Sequence, residues 1–91
     1  MKLIFSEIAR EKIRKLHPTI RRSIRACIET LRDNPYLGKA LKKELEGYRS
    51  LVYNRYRIIY EVNEASKELF ILTAGHRENI YELFAQQKKK N

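Results

Sequence analysis

Arg49, Arg55, Arg57, His76, Arg77 and Tyr81 fall within one stretch, Gly47 to Tyr81. Their types suit work on an anion. Guanidinium groups present paired N–H donors to oxyanions and keep their charge at any working pH. Imidazole gives or takes a proton near neutrality. Lys39, Lys42 and Lys43 add positive charge just upstream. Metal chemistry has no support in the spacing. His17 and His76 are the only histidines, neither has a partner at ligand spacing, and no metal or other cofactor is expected.

These side chains need a frame. Tyr48 to Tyr53 and Tyr56 to Val62 are rich in aromatic and β-branched residues, with Asn54-Arg55 between them, which predicts a tight hairpin. Asn63 to Lys67 reads as a polar turn and Leu69 to Ala74 as a third strand. With Asn54 and Arg55 as the loop, Tyr53 faces Tyr56, Val52 faces Arg57 and Ser50 faces Ile59. Ser50, Val52, Arg57, Ile59 and Glu61 then share one face. Leu51, Tyr53, Tyr56, Ile58, Tyr60 and Val62 share the other, more apolar one.

Upstream, Lys2 to Phe5 is a short β-prone segment, and Ser6 stands where a helix N-cap belongs, followed by Glu7. Ile8, Ala9, Ile13 and Leu16 line one helical face. His17-Pro18 breaks that helix and starts a second, whose apolar stripe is Ile20, Ile24, Cys27, Ile28 and Leu31. Asp33-Asn34-Pro35 ends it, with Asn34 suited to a left-handed conformation. Tyr36 to Glu46 reads as a loop with a turn or a short extended piece. Arg77 to Gln87 is predicted helical, with Ile80, Leu83 and Phe84 inward, before a basic solvated tail over residues 88–91. The expected class is α+β in the order β-α-α-β-β-β-α: a two-layer sandwich of helical hairpin on a small, mainly antiparallel sheet. The Arg57 face is expected to be open and to hold the site.

The chain has 91 residues, enough for one domain over residues 1–91. Lys and Arg total 20 against 11 acidic residues, a formal charge of +9. That excess persists without Lys88, Lys89 and Lys90 and points to a polyanionic partner. Cys27 is the only cysteine, so no internal disulfide is possible and a reducing compartment is expected. No apolar run is long enough to span a bilayer and no signal-peptide core precedes the first strand, so a cytoplasmic location is expected.

The run L-x-G-Y-R-S-L-V-Y-N-R-Y-R-I-I-Y-E-V (Leu45 to Val62), followed by A-G-H-R-E-N-I-Y (Ala74 to Tyr81), resembles the RelE/ParE superfamily, the toxins of type II toxin–antitoxin pairs. The likeness extends over nearly the whole chain, since the first strand and helical hairpin match that group's element order. It implies a toxin held inactive by a cognate antitoxin with an acidic segment. RelE-like members are ribosome-dependent mRNA interferases: the ribose 2′-hydroxyl attacks the adjacent phosphate without a metal. ParE-like members inhibit DNA gyrase and cut no bond themselves. For the RelE-like reading, the resemblance makes Arg57 and Arg77 the phosphate-binding arginines and Tyr81 the tyrosine at the cleaved nucleotide. His76 is then an acid or base. Lys39, Lys42, Lys43, Arg49 and Arg55 supply general charge toward nucleic acid.

The match departs at the two outward positions of the hairpin's first strand. Ribonuclease members often carry lysine or arginine there, and this chain has Ser50 and Val52, so the usual lysine base has no counterpart. Three readings stand beside one another: an interferase, a gyrase inhibitor or catalytically degraded relative, and a plain basic adaptor for RNA or an acidic protein. Blander roles exist for each residue too. Arg57 can pair with Glu61, His76 can serve loop backbone groups, and Tyr81 can anchor a helix in the core.

Overall fold

The computed structural model describes residues 1–89. Strand β1 (Lys2–Phe5) leads into helix α1 (Glu7–Arg14) and helix α2 (Pro18–Glu29), then β2 (Lys39–Ala40), β3 (Arg49–Tyr53), β4 (Tyr56–Asn63), β5 (Glu68–His76) and helix α3 (Ile80–Lys89). The five strands form one sheet in the order β1-β5-β4-β3-β2. β1 runs parallel to β5, and every other pairing is antiparallel. The α+β class is therefore as expected, and the element order matches with one strand, β2, added. The loop after α2 holds a short 3-10 turn at each end, and its extended piece is β2. No helix among the described residues is long and apolar enough to cross a membrane.

Local chemistry accounts for these elements. The Ser6 hydroxyl accepts the Ala9 N–H at 3.0 Å, and Pro18 opens α2 at its first turn, where its missing N–H costs nothing. Asn54 takes a positive φ of 51° in the hairpin turn, a conformation that asparagine tolerates better than most residues. Asn34 does not adopt it; among the described residues the positive-φ positions other than glycine are Lys43, Asn54 and Lys67.

The hairpin register is the expected one, with Tyr53 opposite Tyr56, Val52 opposite Arg57 and Ser50 opposite Ile59. The apolar face meets the helical hairpin. Leu51, Ile58, Tyr60, Leu69, Ile71 and Ala74 form one core with Ala9, Ile13, Ile24, Ile28 and Leu31. The other face is not open as expected. A second cluster of Leu45, Ile59, Ile80 and Phe84 covers its middle, because α3 folds back across the sheet and buries the strip that the strand pattern exposes. Gly75 permits this approach: a Cβ there would stand 2.9 Å from Ile80 Cδ1. α3 starts at Ile80, not Arg77, and runs through Lys88 and Lys89, which were expected in a solvated tail. The Lys88 ammonium donates to the Glu44 carbonyl at 2.8 Å and lies 4.6 Å from the Tyr48 ring centroid, and these contacts extend the helix. Lys90 and Asn91 lie outside the described residues.

The loop before β2 is tied to the first core through Tyr60, whose side chain is fully buried. Its hydroxyl accepts the Gly38 N–H at 2.9 Å and donates to the Pro35 carbonyl at 2.8 Å. A Cβ at Gly38 would sit 2.7 Å from that ring and 2.9 Å from the Ser50 carbonyl oxygen. Gly38→Ala is therefore expected to destabilise the fold by about 1–3 kcal/mol, read as a lower urea midpoint. An unchanged midpoint would show that the loop moves aside freely.

Candidate nucleic-acid interface

Arg55, Arg57, His76 and Arg77 gather at the turn end of the β3–β4 hairpin. β5 ends there too, with His76 opposite Tyr56 and Gly75 opposite Arg57. As the chain leaves the sheet, the Arg77 N–H donates to the Arg55 carbonyl at 2.7 Å, which latches the start of the next turn to the hairpin tip. Asn54, Arg55, Tyr56, His76 and Arg77 line an open cleft of about 560 Å³. Arg57 lies beside it, half-buried, with Nη1 donating to the Asn54 and Tyr56 carbonyls at 3.3 and 3.1 Å. Its strand neighbours on this face are exposed Val52 and side-chain-free Gly75. The ion pair with Glu61 does not form. Among the described residues no salt bridge involves Arg55, Arg57 or Arg77; the acidic partners all serve other cations.

The His76 ring stands edge-on to Tyr56, centroids 5.9 Å apart, and its Nδ1 accepts the Glu78 N–H at 3.4 Å. In the neutral ring that contact favours the tautomer with the proton on Nε2.

Tyr81 sits elsewhere on the same sheet face. Because α3 begins at Ile80, Arg77 belongs to the preceding turn and the two do not share a helical face as expected. The Tyr81 hydroxyl lies 3.0 Å from Ser50 Oγ. Its ring borders a second concavity of about 380 Å³ with Lys39, Ala40, Leu41, Lys42 and Leu45. Ser50 and Ile59 form the strand pair next but one to Val52 and Arg57, so Arg57 stands between the cleft at the tip and the concavity at Tyr81. Lys39 and Lys42 join the second group. Lys43 is exposed but lines neither space.

Arg49 is engaged in holding a loop. Its Nε donates to the Gly38 carbonyl at 3.0 Å and Nη2 to the Tyr36 carbonyl at 3.2 Å, while the guanidinium carbon lies 5.2 Å from the Tyr36 ring centroid. Tyr36 in turn donates to Glu64, which holds that carboxyl below its ordinary value. Sequence reasoning missed Ser50 as the partner of Tyr81 and Tyr56 as a wall of the cleft. The face assignment of Ser50 was the only signal available for the first, and the pairing partner of Tyr56 was the signal for the second.

The family model for the ParE toxin of type II toxin–antitoxin systems, parDE, matches residues 3–81. The chain belongs to this family. The ParE-family chain is 32% identical over 79 residues to Toxin RelG of Mycobacterium tuberculosis, covering 85% of this chain and 91% of RelG. Among solved structures it resembles the toxin–antitoxin complex RelBE2 of the same organism, with a TM-score of 0.77 and 29% identity over 84% of this chain and 96% of that one. A mutant of Escherichia coli RelE in the free state has a TM-score of 0.78 at 21% identity, covering 98% and 95%, a likeness of fold. The ParE-family toxin described here is thus a type II toxin of the RelE/ParE superfamily.

Proposed function

We propose that this toxin is a ribosome-dependent mRNA interferase, cleaving RNA by attack of a ribose 2′-hydroxyl on the neighbouring phosphate. The observation that carries the reading is the group of cations at the hairpin tip. Arg55 and Arg77 line the cleft with His76, Arg57 lies beside it, and among the described residues none of the three arginines has a carboxylate partner. Cations held on a rigid strand end, without counter-ions, are what a phosphate in an RNA backbone requires. In this reading Arg57 and Arg77 take the non-bridging oxygens, where negative charge grows as the phosphorane forms. Arg55 holds the flanking backbone. The 2′-hydroxyl gives its proton to solvent water as its oxygen bonds to phosphorus. The imidazolium form of His76 gives its Nε2 proton to the 5′-oxygen as the P–O5′ bond breaks, and the products are a 2′,3′-cyclic phosphate and a free 5′-hydroxyl. Tyr81 bounds the adjacent nucleotide, with Lys39 and Lys42 at the rim of its concavity.

A second reading, inhibition of DNA gyrase, draws on one specific observation. The outward position opposite Arg57 holds Val52, 56% exposed, where an interferase is served by a basic group. The two readings part in one experiment. Purified toxin in a translation reaction is expected to leave mRNA cut within the ribosomal A site. Intact mRNA, together with trapped gyrase–DNA breaks, would overturn the interferase reading. In either reading we expect control in the cytoplasm by an antitoxin whose acidic segment covers the basic tip and orders as it binds. The resemblance to RelBE2, a toxin–antitoxin complex, supports that partner.

A further inference from the structure

We propose that Ser50 is the positioning residue for Tyr81, a role that rests on the interferase reading and adds to it. Ser50 is 3% exposed, and its hydroxyl has one partner among the described residues, the Tyr81 hydroxyl at 3.0 Å. Burial in this layer does not guarantee a partner. Thr73 occupies the same cross-strand row through Ile59 and is 1% exposed, yet its hydroxyl is left without one. The Ser50 pairing is therefore a specific feature of where the Tyr81 ring lands.

The ring is fixed at two points. At its backbone end, the preceding residue Ile80 rests on Gly75, close enough that a Cβ on Gly75 would meet it at 2.9 Å. At its far end the phenol oxygen meets Ser50. Gly75 is also the strand partner of Arg57. A continuous run of contacts thus links the arginine at the proposed phosphate to the tyrosine platform and back to the sheet: Arg57, Gly75, Ile80, Tyr81, Ser50. With the Ser50 O–H donating to the Tyr81 oxygen, the Tyr81 O–H is free to donate onward to a ribose or phosphate oxygen of the substrate. A side chain held in its productive orientation before binding loses less freedom in the transition state.

The test is a double-mutant cycle on Ser50 and Tyr81, measured as single-codon mRNA cleavage on programmed ribosomes. Ser50→Ala is expected to lower kcat about three- to tenfold with KM unchanged, the size of one lost orienting hydrogen bond. Ser50→Thr restores the hydroxyl and the rate. Ser50→Cys keeps the packing volume without a strong donor and behaves as the alanine variant does, which covers the case in which Ser50→Ala fails to fold. In a Tyr81→Phe background, Ser50→Cys adds no further loss. The proposal is overturned if the two substitutions multiply, or if Ser50→Cys changes only the melting temperature. Should the wild-type toxin leave mRNA intact, the interferase reading falls by itself. The same cycle scored on growth arrest then decides the role of Ser50, with non-additive losses supporting it and multiplicative losses overturning it.

Discussion

Arg77→Ala is expected to abolish growth arrest and leave the fold intact. The Arg77 side chain is exposed and forms no ion pair among the described residues. Its structural service is a backbone one, the N–H that donates to the Arg55 carbonyl at 2.7 Å, and alanine keeps that bond. Stability should therefore change by less than about 0.5 kcal/mol. If Arg77 neutralises charge on the phosphorane, its removal costs on the order of 10²–10³ in cleavage rate, as for other preorganised charge-stabilising donors. Arg77→Lys should recover part of the loss, because an ammonium supplies charge without the paired geometry. Thermal melting beside a growth-arrest assay checks both halves. A fully toxic alanine variant would remove Arg77 from the site.

Phe84→Ala should do the opposite, striking the fold first and the activity through it. Phe84 is 2% exposed, sits in the cluster with Leu45, Ile59 and Ile80, and meets the Tyr48 ring edge-on at 5.0 Å. Truncating a buried phenylalanine costs about 3–5 kcal/mol, a large part of the roughly 5–15 kcal/mol that holds a domain together. Helix α3 spans ten residues, too short to persist in water on its own, so losing its anchor should release Tyr81 from Ser50 as well. For a domain of this size the melting temperature should fall by at least about 12 °C. A melting temperature within a few degrees of the wild type would mean that α3 contributes little to the fold.

The sheet was readable from the chain because strand side chains alternate. With Asn54-Arg55 as the loop, parity pairs Val52 with Arg57 and sets Leu51, Ile58 and Tyr60 toward the helices, as the register bears out. What parity cannot reveal is a third element closing on the second face. Ser50, Arg57 and Glu61 made that face look solvated, yet a small hydroxyl can be buried when a distant phenol meets it, and Tyr81 is 31 positions away. The start of α3 is hidden in the sequence for a related reason. Arg77, Glu78 and Asn79 suit a helix by composition, but the Arg77 N–H is bonded to the hairpin turn and the Asn79 N–H to the His76 carbonyl. The first helical bond runs from Leu83 to the Asn79 carbonyl, with asparagine at a boundary it favours. Arg49 was read as free charge because its partners, the Gly38 and Tyr36 carbonyls, lie in a loop without periodicity.

The parallel pairing of β1 with β5 sets the order in which the molecule becomes harmful. Lys2 sits opposite Glu68 and Phe5 opposite Ile71, so β1 is synthesised before the other four strands of the sheet and waits, unpaired, for β5. Pairings this distant in sequence form late and slowly, because the intervening chain must be closed before they contribute. Arg77 and Tyr81 lie beyond β5, in the segment synthesised after the strand that completes the sheet. A chain emerged only as far as β5 therefore presents the hairpin arginines without Arg77 or Tyr81, and the same late segment brings both. Synthesis thereby brings the proposed site together only once the chain beyond β5 has emerged.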